Sequence, residues 1–153
     1  MDNRDMTTLC GLWCGDCVPA NDRLFALTAE LETLLKEIQF EEYAEYKSAT
    51  VPEFKDYVVF ATVLDAFKKI HCRNYCRNGP VSIAASSPTC KIRMCALEKE
   101  LDGCWDCDTY ATCDMLIRLS NLHPAVMDNL AALKEHGIEN WLEHKGKNYR
   151  WSK

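Results

Sequence analysis

Ten cysteines give this sequence its most evident chemistry, and they fall into four groups with short internal spacings. Thiolates that are about two to four residues apart bend onto one metal ion at little cost in loop closure, and a second group from elsewhere in the chain completes the coordination. All ten are therefore candidate metal ligands. In chain order the groups are Cys10, Cys14 and Cys17; Cys72 and Cys76; Cys90 and Cys95; and Cys104, Cys107 and Cys113.

A basic stretch surrounds the two middle groups. Between Ala66 and Leu97 the chain has no Asp or Glu. Nearby cations lower the pKa of a thiol and so favour the thiolate that binds metal. The six cations could equally form a solvated surface patch, which is the usual role of such a stretch. They are Lys68, Lys69, Arg73, Arg77, Lys91 and Arg93.

The first group also resembles a redox dithiol, because Trp13-Cys-Gly-Asp-Cys17 is close to the WCGPC site of thioredoxin. That site follows a buried strand and opens a helix in a βαβ unit. Here only twelve residues precede Trp13, and Pro19 interrupts any helix that begins at the cysteines. The spacing C-x3-C-x2-C also occurs in radical-SAM enzymes, whose α/β barrel needs a much longer chain. Both interpretations are disfavoured.

Zinc and an iron–sulfur cluster remain as candidate bound groups, and the spacing of the cysteines alone does not distinguish between them. Zinc sites combine pairs from separate segments, whereas clusters often take three ligands from one local run. This chain has two pairs and two runs of three. Structural zinc is preferred, because no run has a complete ferredoxin spacing and a loop-rich segment gains folding energy from a closed site. A 4Fe-4S cluster is the alternative, followed by disulfides or free buried thiols.

Loop length predicts how the thiols divide between two sites. A first site lies in the two middle groups, which a short loop joins. A second site combines the two C-x2-C pairs and ties the N-terminus to the later cysteines. His71 is a weaker candidate, as a substitute ligand. The predicted sets are Cys72, Cys76, Cys90 and Cys95 for the first site and Cys14, Cys17, Cys104 and Cys107 for the second, with Cys10 and Cys113 left over.

Apolar residues at helical spacing predict three helices that would frame the cysteines, over residues 22–39, 52–70 and 124–136. Asn21 is the predicted N-cap of the first helix. Thr50 is the predicted cap of the second, with Pro52 in its first turn, and Gly137 ends the third. Between the second and third helices, residues 72–113 hold seven cysteines and only one short helix, over about 94–102.

These elements predict a mainly α fold in a single domain, residues 1–153. The helical frame covers 20–71 and 123–145. The irregular, metal-binding cysteine segment covers 72–113 and is joined by the motif at 10–17, and short strand pairs are possible near the cysteines. A chain of 153 residues buries enough surface to fold without cross-links, so a metal would serve the irregular segment in particular.

The composition disfavours several classes of protein. A formal net charge of -5 weighs against nonspecific nucleic-acid binding, which needs a cationic surface. No apolar run reaches the roughly 18 residues of a membrane span, and the N-terminus lacks the pattern of a signal peptide. The cytoplasm is therefore the expected location, and there a cysteine-rich chain more often binds metal than forms disulfides.

Three segments together resemble the DUF3795 family: CGLWCGDC, CKIRMCALEKELDGCWDCDTYATC and HPAVMDNLAALKEHGIENWLEHK. The resemblance covers about residues 10–145, and its most specific part is C-x-I-R-x-C-A-x-E-K followed by C-x-x-C. Two places depart from the family pattern. Three residues separate Cys72 from Cys76 where relatives often have C-x-G-C, and Thr112 stands where a proline often precedes the last cysteine. The family resembles small cysteine-rich proteins of bacteria and archaea, which implies a metal role without naming a reaction.

The combined expectation is a cysteine-ligated metal-binding protein. It is foremost a zinc-stabilised, non-enzymatic binding module that acts through a protein partner. The alternative is an iron–sulfur protein that works as a redox enzyme or an electron carrier. The colour of the pure protein separates the two, because iron–sulfur proteins are brown and zinc proteins are colourless.

Overall fold

The computed structural model describes residues 2–72, 75–78 and 90–150. Within these ranges the secondary structure is helical, and no strand occurs apart from one isolated antiparallel bridge between Thr7 and Trp13. The prediction of a mainly α fold is therefore confirmed, whereas the possible strand pairs are not found among the described residues. The α-helices are α1 (Asn3–Met6), α2 (Asp22–Glu37), α3 (Phe40–Lys47), α4 (Tyr57–Ile70), α5 (Lys91–Glu98), α6 (Asp114–Ser120) and α7 (Val126–His136).

The chain divides into two compact units. The cysteine unit comprises residues 1–20 and 72–153 and contains all ten cysteines, whereas the helical unit, Asn21–His71, contains none. Every candidate thiol ligand therefore lies in one compact unit. The single domain expected from the sequence stays a prediction.

The helical unit is built from α2, α3 and α4. Asn21 caps α2 as predicted, since its side-chain oxygen accepts a hydrogen bond at 3.1 Å from a backbone N–H in the first turn. Gln39 has a left-handed backbone, with φ of 52°, which ends the first predicted helix and starts a separate one. The Phe40 ring packs on those of Phe54 and Tyr57, at centroid distances of 5.5 and 5.2 Å. No helix of the described ranges is both long enough and apolar enough to cross a membrane.

The second predicted helix is observed in two parts. Pro52–Asp56 form a 3₁₀ segment, and α4 follows directly at Tyr57. Thr50 does not cap this helix as predicted, because its hydroxyl donates to the carbonyl of Lys47 at 3.1 Å. Pro52 does lie in the first turn, where its missing N–H leaves no donor unsatisfied.

The core of the cysteine unit is centred on α7. Val126, Leu130 and Leu133 of this helix are buried. Trp141, in the 3₁₀ turn that follows, is fully buried, and its indole N–H donates to the hydroxyl of Thr7 at 3.1 Å. The third predicted helix thus supplies the apolar face on which the cysteine segments pack.

The N-terminal cysteine motif lies against this core. Gly11 has φ of 80°, and a Cβ there would lie 2.9 Å from the side chain of Leu130, so the position requires glycine. Asn129, itself buried, donates to the carbonyl of Gly11 at 2.9 Å. The backbone N–H of Cys104 donates to the carbonyl of Leu9 at 2.7 Å. The motif and the last cysteine group are therefore neighbours, although about ninety positions separate them in the chain.

The region between the second and third predicted helices contains more helix than its sequence pattern indicates. Its short helix, α5, spans Lys91–Glu98 rather than about 94–102, and α6 at Asp114–Ser120 was not predicted. Two 3₁₀ turns lie between them, at Cys104–Asp106 and Tyr110–Thr112. Elements of three to eight residues are too short to show a helical periodicity in sequence. Most of the predicted loop, residues 79–89, lies outside the described residues.

Candidate metal centre

Four cysteines line one small cavity in the cysteine unit. Cys95 lies in α5, Cys104 and Cys107 start and follow a 3₁₀ turn, and Cys113 directly precedes α6. The cavity has a volume of about 50 Å³. That is roughly three to five times the least space that one water molecule occupies by this measure. Two helices and the turn between them therefore bring four cysteines to one partly open cavity.

The other walls of the cavity are mainly apolar. An apolar wall limits the access of water to a bound metal group and lowers the local dielectric, which tunes the reduction potential. Lys99 adds a positive charge to the lining, which favours thiolates over thiols. The apolar lining residues are Ile92, Ala96, Leu101, Tyr110, Met115 and Leu116.

The turn that carries two of these cysteines is fixed by its own backbone and by one indole. The N–H of Cys107 donates to the carbonyl of Cys104 at 3.2 Å, which closes the turn and brings its two ends together. A Cβ at Gly103 would overlap the buried ring of Trp105, so a larger residue at this position would displace the indole. The sequence G-C-W-D-C therefore forms this turn with both thiols beside the cavity.

The thiols of the cavity differ in acidity. Burial first, and then the charges of neighbouring thiolates with that of Cys10 foremost, together raise the pKa of Cys104 from its ordinary value of 9.0 to about 12. Hydrogen bonds from the hydroxyl and backbone N–H of Thr109 lower the pKa of Cys107. In the metal-free protein at neutral pH, Cys104 therefore keeps its proton, and a metal must displace that proton to bind.

A second group of thiols lies around the N-terminal motif. Burial is the largest cause that raises the pKa of both Cys10 and Cys14 to about 12. Neighbouring thiolates add to the effect, since like charges disfavour ionisation. The contributing neighbours are Cys17, Cys76 and Cys72 for Cys14, and Cys76 and Cys90 for Cys10.

This arrangement differs from the grouping predicted by loop length. Cys95 lines the cavity with Cys104, whereas the prediction placed it with Cys90. Cys90 is the N-cap of α5, and Cys95 lies five residues further on. Five residues rotate a side chain by about 140° around a helix axis, so the two thiols point to different neighbours. The prediction considered only the length of the loops between cysteines, and loop length does not include that rotation.

No three Cys, His, Asp or Glu side chains of the described ranges are placed to hold a single metal ion. All ten cysteines are free thiols in this structure, without a disulfide. The role of the ten cysteines as metal ligands stays a prediction. The cavity groups four of them, Cys95, Cys104, Cys107 and Cys113, as one candidate ligand set.

His71, the weaker ligand candidate, has other partners. Its Nε2 lies 3.0 Å from a carboxylate oxygen of Asp22, and its ring stacks on Phe25 with the centroids 4.0 Å apart. A contact that sequence reasoning missed is the hydroxyl of Tyr149, 3.4 Å from the Sγ of Cys17. Nothing in the local sequence signals this contact, because 132 positions separate the two residues.

Arg77, which the sequence placed only in a basic stretch, connects three segments of the cysteine unit. One of its Nη atoms donates to the backbone carbonyl of Asp102 at 2.8 Å and to the carboxylate at 2.7 Å. Its Nε donates to the carbonyl of Arg4 at 3.1 Å, and its guanidinium lies 5.6 Å from the ring centroid of Trp105. These contacts also fix the position of the adjacent Cys76, whose pKa is raised by burial and lowered in part by the charge of Arg77.

We expect Arg77→Ala to lower the free energy of unfolding by about 2–4 kcal/mol, because two backbone carbonyls lose their donor and the partly buried carboxylate of Asp102 keeps only the exposed Arg4 as a partner. Arg4→Ala is the matched control, since Arg4 pairs with the same carboxylate of Asp102 at 2.5 Å but is 49% exposed. Arg4→Ala should lower the free energy of unfolding by less than about 1 kcal/mol. Urea denaturation measures the free energy of unfolding of both variants. Equal decreases would show that Arg77 contributes no more than an exposed ion pair does.

Comparison with known proteins gives one family. No curated protein and no solved structure matches this chain. The model of DUF3795, described as a protein of unknown function, matches residues 6–118. This range includes all ten cysteines and the four around the cavity, and it covers well over half of the 153 residues. The chain therefore belongs to the DUF3795 family.

Proposed function

We propose that the chain is an iron–sulfur protein whose cavity cysteines hold one cluster. The ligands would be Cys95, Cys104, Cys107 and Cys113. The observation that carries this proposal is the cavity itself, in which four cysteines surround about 50 Å³ of space. Four thiolates are the usual ligand set of a cluster, whose several iron and sulfide ions need space between the ligands.

A single zinc ion fits this space less well. In a tetrahedral zinc site each sulfur lies about 2.3 Å from the metal, which leaves no volume for even one water molecule. The cavity is larger than that, and this size favours a bound group with several metal ions.

Bound in this way, a cluster would supply one-electron redox chemistry. The chain itself supplies four thiolates, an apolar wall that limits the access of water, and the cation of Lys99 beside the ligands. Cys107 is only half-buried, so it offers the shortest route for an electron to or from a protein partner. We therefore propose an electron carrier or redox protein of the cytoplasm, where thiols stay reduced.

Structural zinc is the second candidate, and the short cysteine pairs favour it. In that case the four thiols would close onto one ion and the cavity would disappear. The protein would then be a colourless, non-enzymatic module that acts through a partner. The two candidates differ in metal content, in colour and in the presence of sulfide.

Anaerobic purification followed by metal analysis tests the proposal. The protein, reconstituted with ferrous iron and sulfide, is expected to turn brown and to hold iron and acid-labile sulfide in about equal amounts. Cys113→Ser should lose the iron of the cavity, whereas Cys90→Ser, which changes a cysteine outside it, should keep that iron. A colourless protein that takes up stoichiometric zinc in preference to iron and sulfide would contradict the proposal.

A further inference from the structure

The turn that carries two cavity cysteines occurs a second time in the cysteine unit. Cys14–Asp16 and Cys104–Asp106 are both three-residue 3₁₀ turns with the sequence C-x-D, and a cysteine follows each. In both, the N–H of the closing cysteine donates to the carbonyl of the first, at 3.0 Å for Cys17 and 3.2 Å for Cys107. The backbone angles of the closing cysteines agree closely, with φ -86° and ψ 123° in one and φ -81° and ψ 124° in the other.

In both turns a glycine packs against an indole, but the two residues exchange positions around the first cysteine, W-C-G in one turn and G-C-W in the other. Gly15 lies under the indole of Trp13, and Gly103 lies under the indole of Trp105. A Cβ at either glycine would overlap the ring that covers it. The same backbone therefore presents two cysteines in the same relation at both places, and one of these places is the cavity.

The segment opposite the N-terminal turn brings two more cysteines to it. The backbone N–H of Cys72 donates to the carbonyl of Pro19 at 2.7 Å, two residues beyond the end of the turn. The backbone N–H of Cys76 donates to the Sγ of Cys14. Arg77, the residue after Cys76, is held by its hydrogen bonds to Asp102, so Cys72 and Cys76 each have a backbone anchor beside them.

We propose that Cys14, Cys17, Cys72 and Cys76 form a second thiolate site, which holds an iron–sulfur cluster of its own. The choice of ligands follows from the duplicated turn and the two backbone hydrogen bonds. The identity of the bound group rests on the function proposed above. The hydroxyl of Tyr149, near Cys17, would donate to a ligand sulfur and raise the reduction potential of this site.

This assignment leaves two cysteines without a place in either site, and Cys10 lies between the sites. Its electrostatic neighbours include Cys76 of the second site and Cys104 of the cavity. The two proposed sites are therefore close to each other within one compact unit. Two neighbouring clusters are the arrangement expected of a protein that passes electrons between partners.

Iron and sulfide counts in single variants test the second site. The wild type, reconstituted anaerobically with ferrous iron and sulfide, should bind about eight iron ions per chain, as two 4Fe-4S clusters require. Cys14→Ser and Cys72→Ser should each halve this number, and so should Cys113→Ser in the cavity. Cys90→Ser is the matched control and should keep the full content. Far-ultraviolet circular dichroism of each variant establishes that the helices are retained, and Cys72 provides a half-buried position if Cys14→Ser fails to fold.

Each outcome decides between the two proposals. A wild type with about four iron ions that Cys14→Ser and Cys72→Ser leave unchanged would overturn the second site and leave the cavity proposal intact. Iron lost only in those two variants, and kept in Cys113→Ser, would support the second site and overturn the cavity. Loss of all iron in every one of the three variants would mean one shared centre and would overturn the division into two sites. No iron in the wild type would overturn both proposals.

Discussion

Removal of the bound metal is expected to raise amide hydrogen exchange across α5, α6 and the turns between them by at least about tenfold. These elements have three to eight residues, and helices shorter than about 12–15 residues are marginal without tertiary contacts. In our account four cysteine ligands provide those contacts by joining α5, the Cys104 turn and the start of α6. Without the cluster only the apolar lining remains.

The helical unit is the internal control for this measurement. It contains no cysteine and has its own aromatic packing around Phe40. Hydrogen exchange followed by mass spectrometry, on the loaded protein and after anaerobic chelation, should show peptides from residues 22–70 unchanged. Peptides from residues 91–120 should lose protection. Equal protection of the second set in both states would show that the cysteines are merely buried thiols, which would contradict the account.

The metal-free protein is expected to unfold in alkaline solution, between about pH 9 and pH 12. Burial raises the pKa of Cys10, Cys14 and Cys104 from 9.0 to about 12 in the folded state. A raised pKa in the folded state contributes stability below the unfolded pKa, and this contribution is lost as the pH rises towards the folded pKa. One pKa unit corresponds to about 1.4 kcal/mol. Even a fraction of the combined shift is therefore comparable with a typical free energy of unfolding, about 5–15 kcal/mol.

Two comparisons make this pH dependence specific. The metal-loaded protein should not lose stability in the same range, because its thiols are already deprotonated and bound. Cys104→Ala should weaken the alkaline loss in the metal-free protein, whereas Cys107→Ala should leave it in place, since the pKa of Cys107 is lowered. Thermal denaturation monitored by tryptophan fluorescence measures each case. A midpoint of the metal-free protein that stays constant from pH 9 to pH 12 would contradict the burial of these thiols.

The long helices could be predicted because their signals are local. Asn21 caps α2 and Gly137 ends α7, and both positions follow from the intrinsic preferences of Asn and Gly. The face that α2 buries was less evident. Leu27 and Leu34, two of the apolar residues at helical spacing in the range 22–39, are each 52% exposed, whereas Phe25 is buried. Which side of an amphipathic helix is covered depends on its neighbours, and a single helix pattern does not contain that information.

The cysteines could be identified from the sequence as candidate ligands, but their grouping could not. The grouping of the cysteines depends on contacts between distant segments. Examples are the hydrogen bond from the N–H of Cys104 to the carbonyl of Leu9 and the hydrogen bonds from Arg77 to Asp102. It also depends on the rotation between Cys90 and Cys95 around the first turns of α5. The spacing of the cysteines along the chain reflects only the cost of loop closure. It therefore contains no information about these contacts or about this rotation.

X-ray absorption spectroscopy of the anaerobically purified protein tests the central claim most directly, because it identifies the metal and its neighbours together. Our account predicts an iron edge, sulfur as the nearest neighbours, and a second shell of iron, since each iron of a cluster has other iron ions beside it. Cys113→Ser should weaken this signal, and Cys90→Ser should leave it unchanged. A zinc edge with four sulfur neighbours at about 2.3 Å and no metal shell would contradict the account.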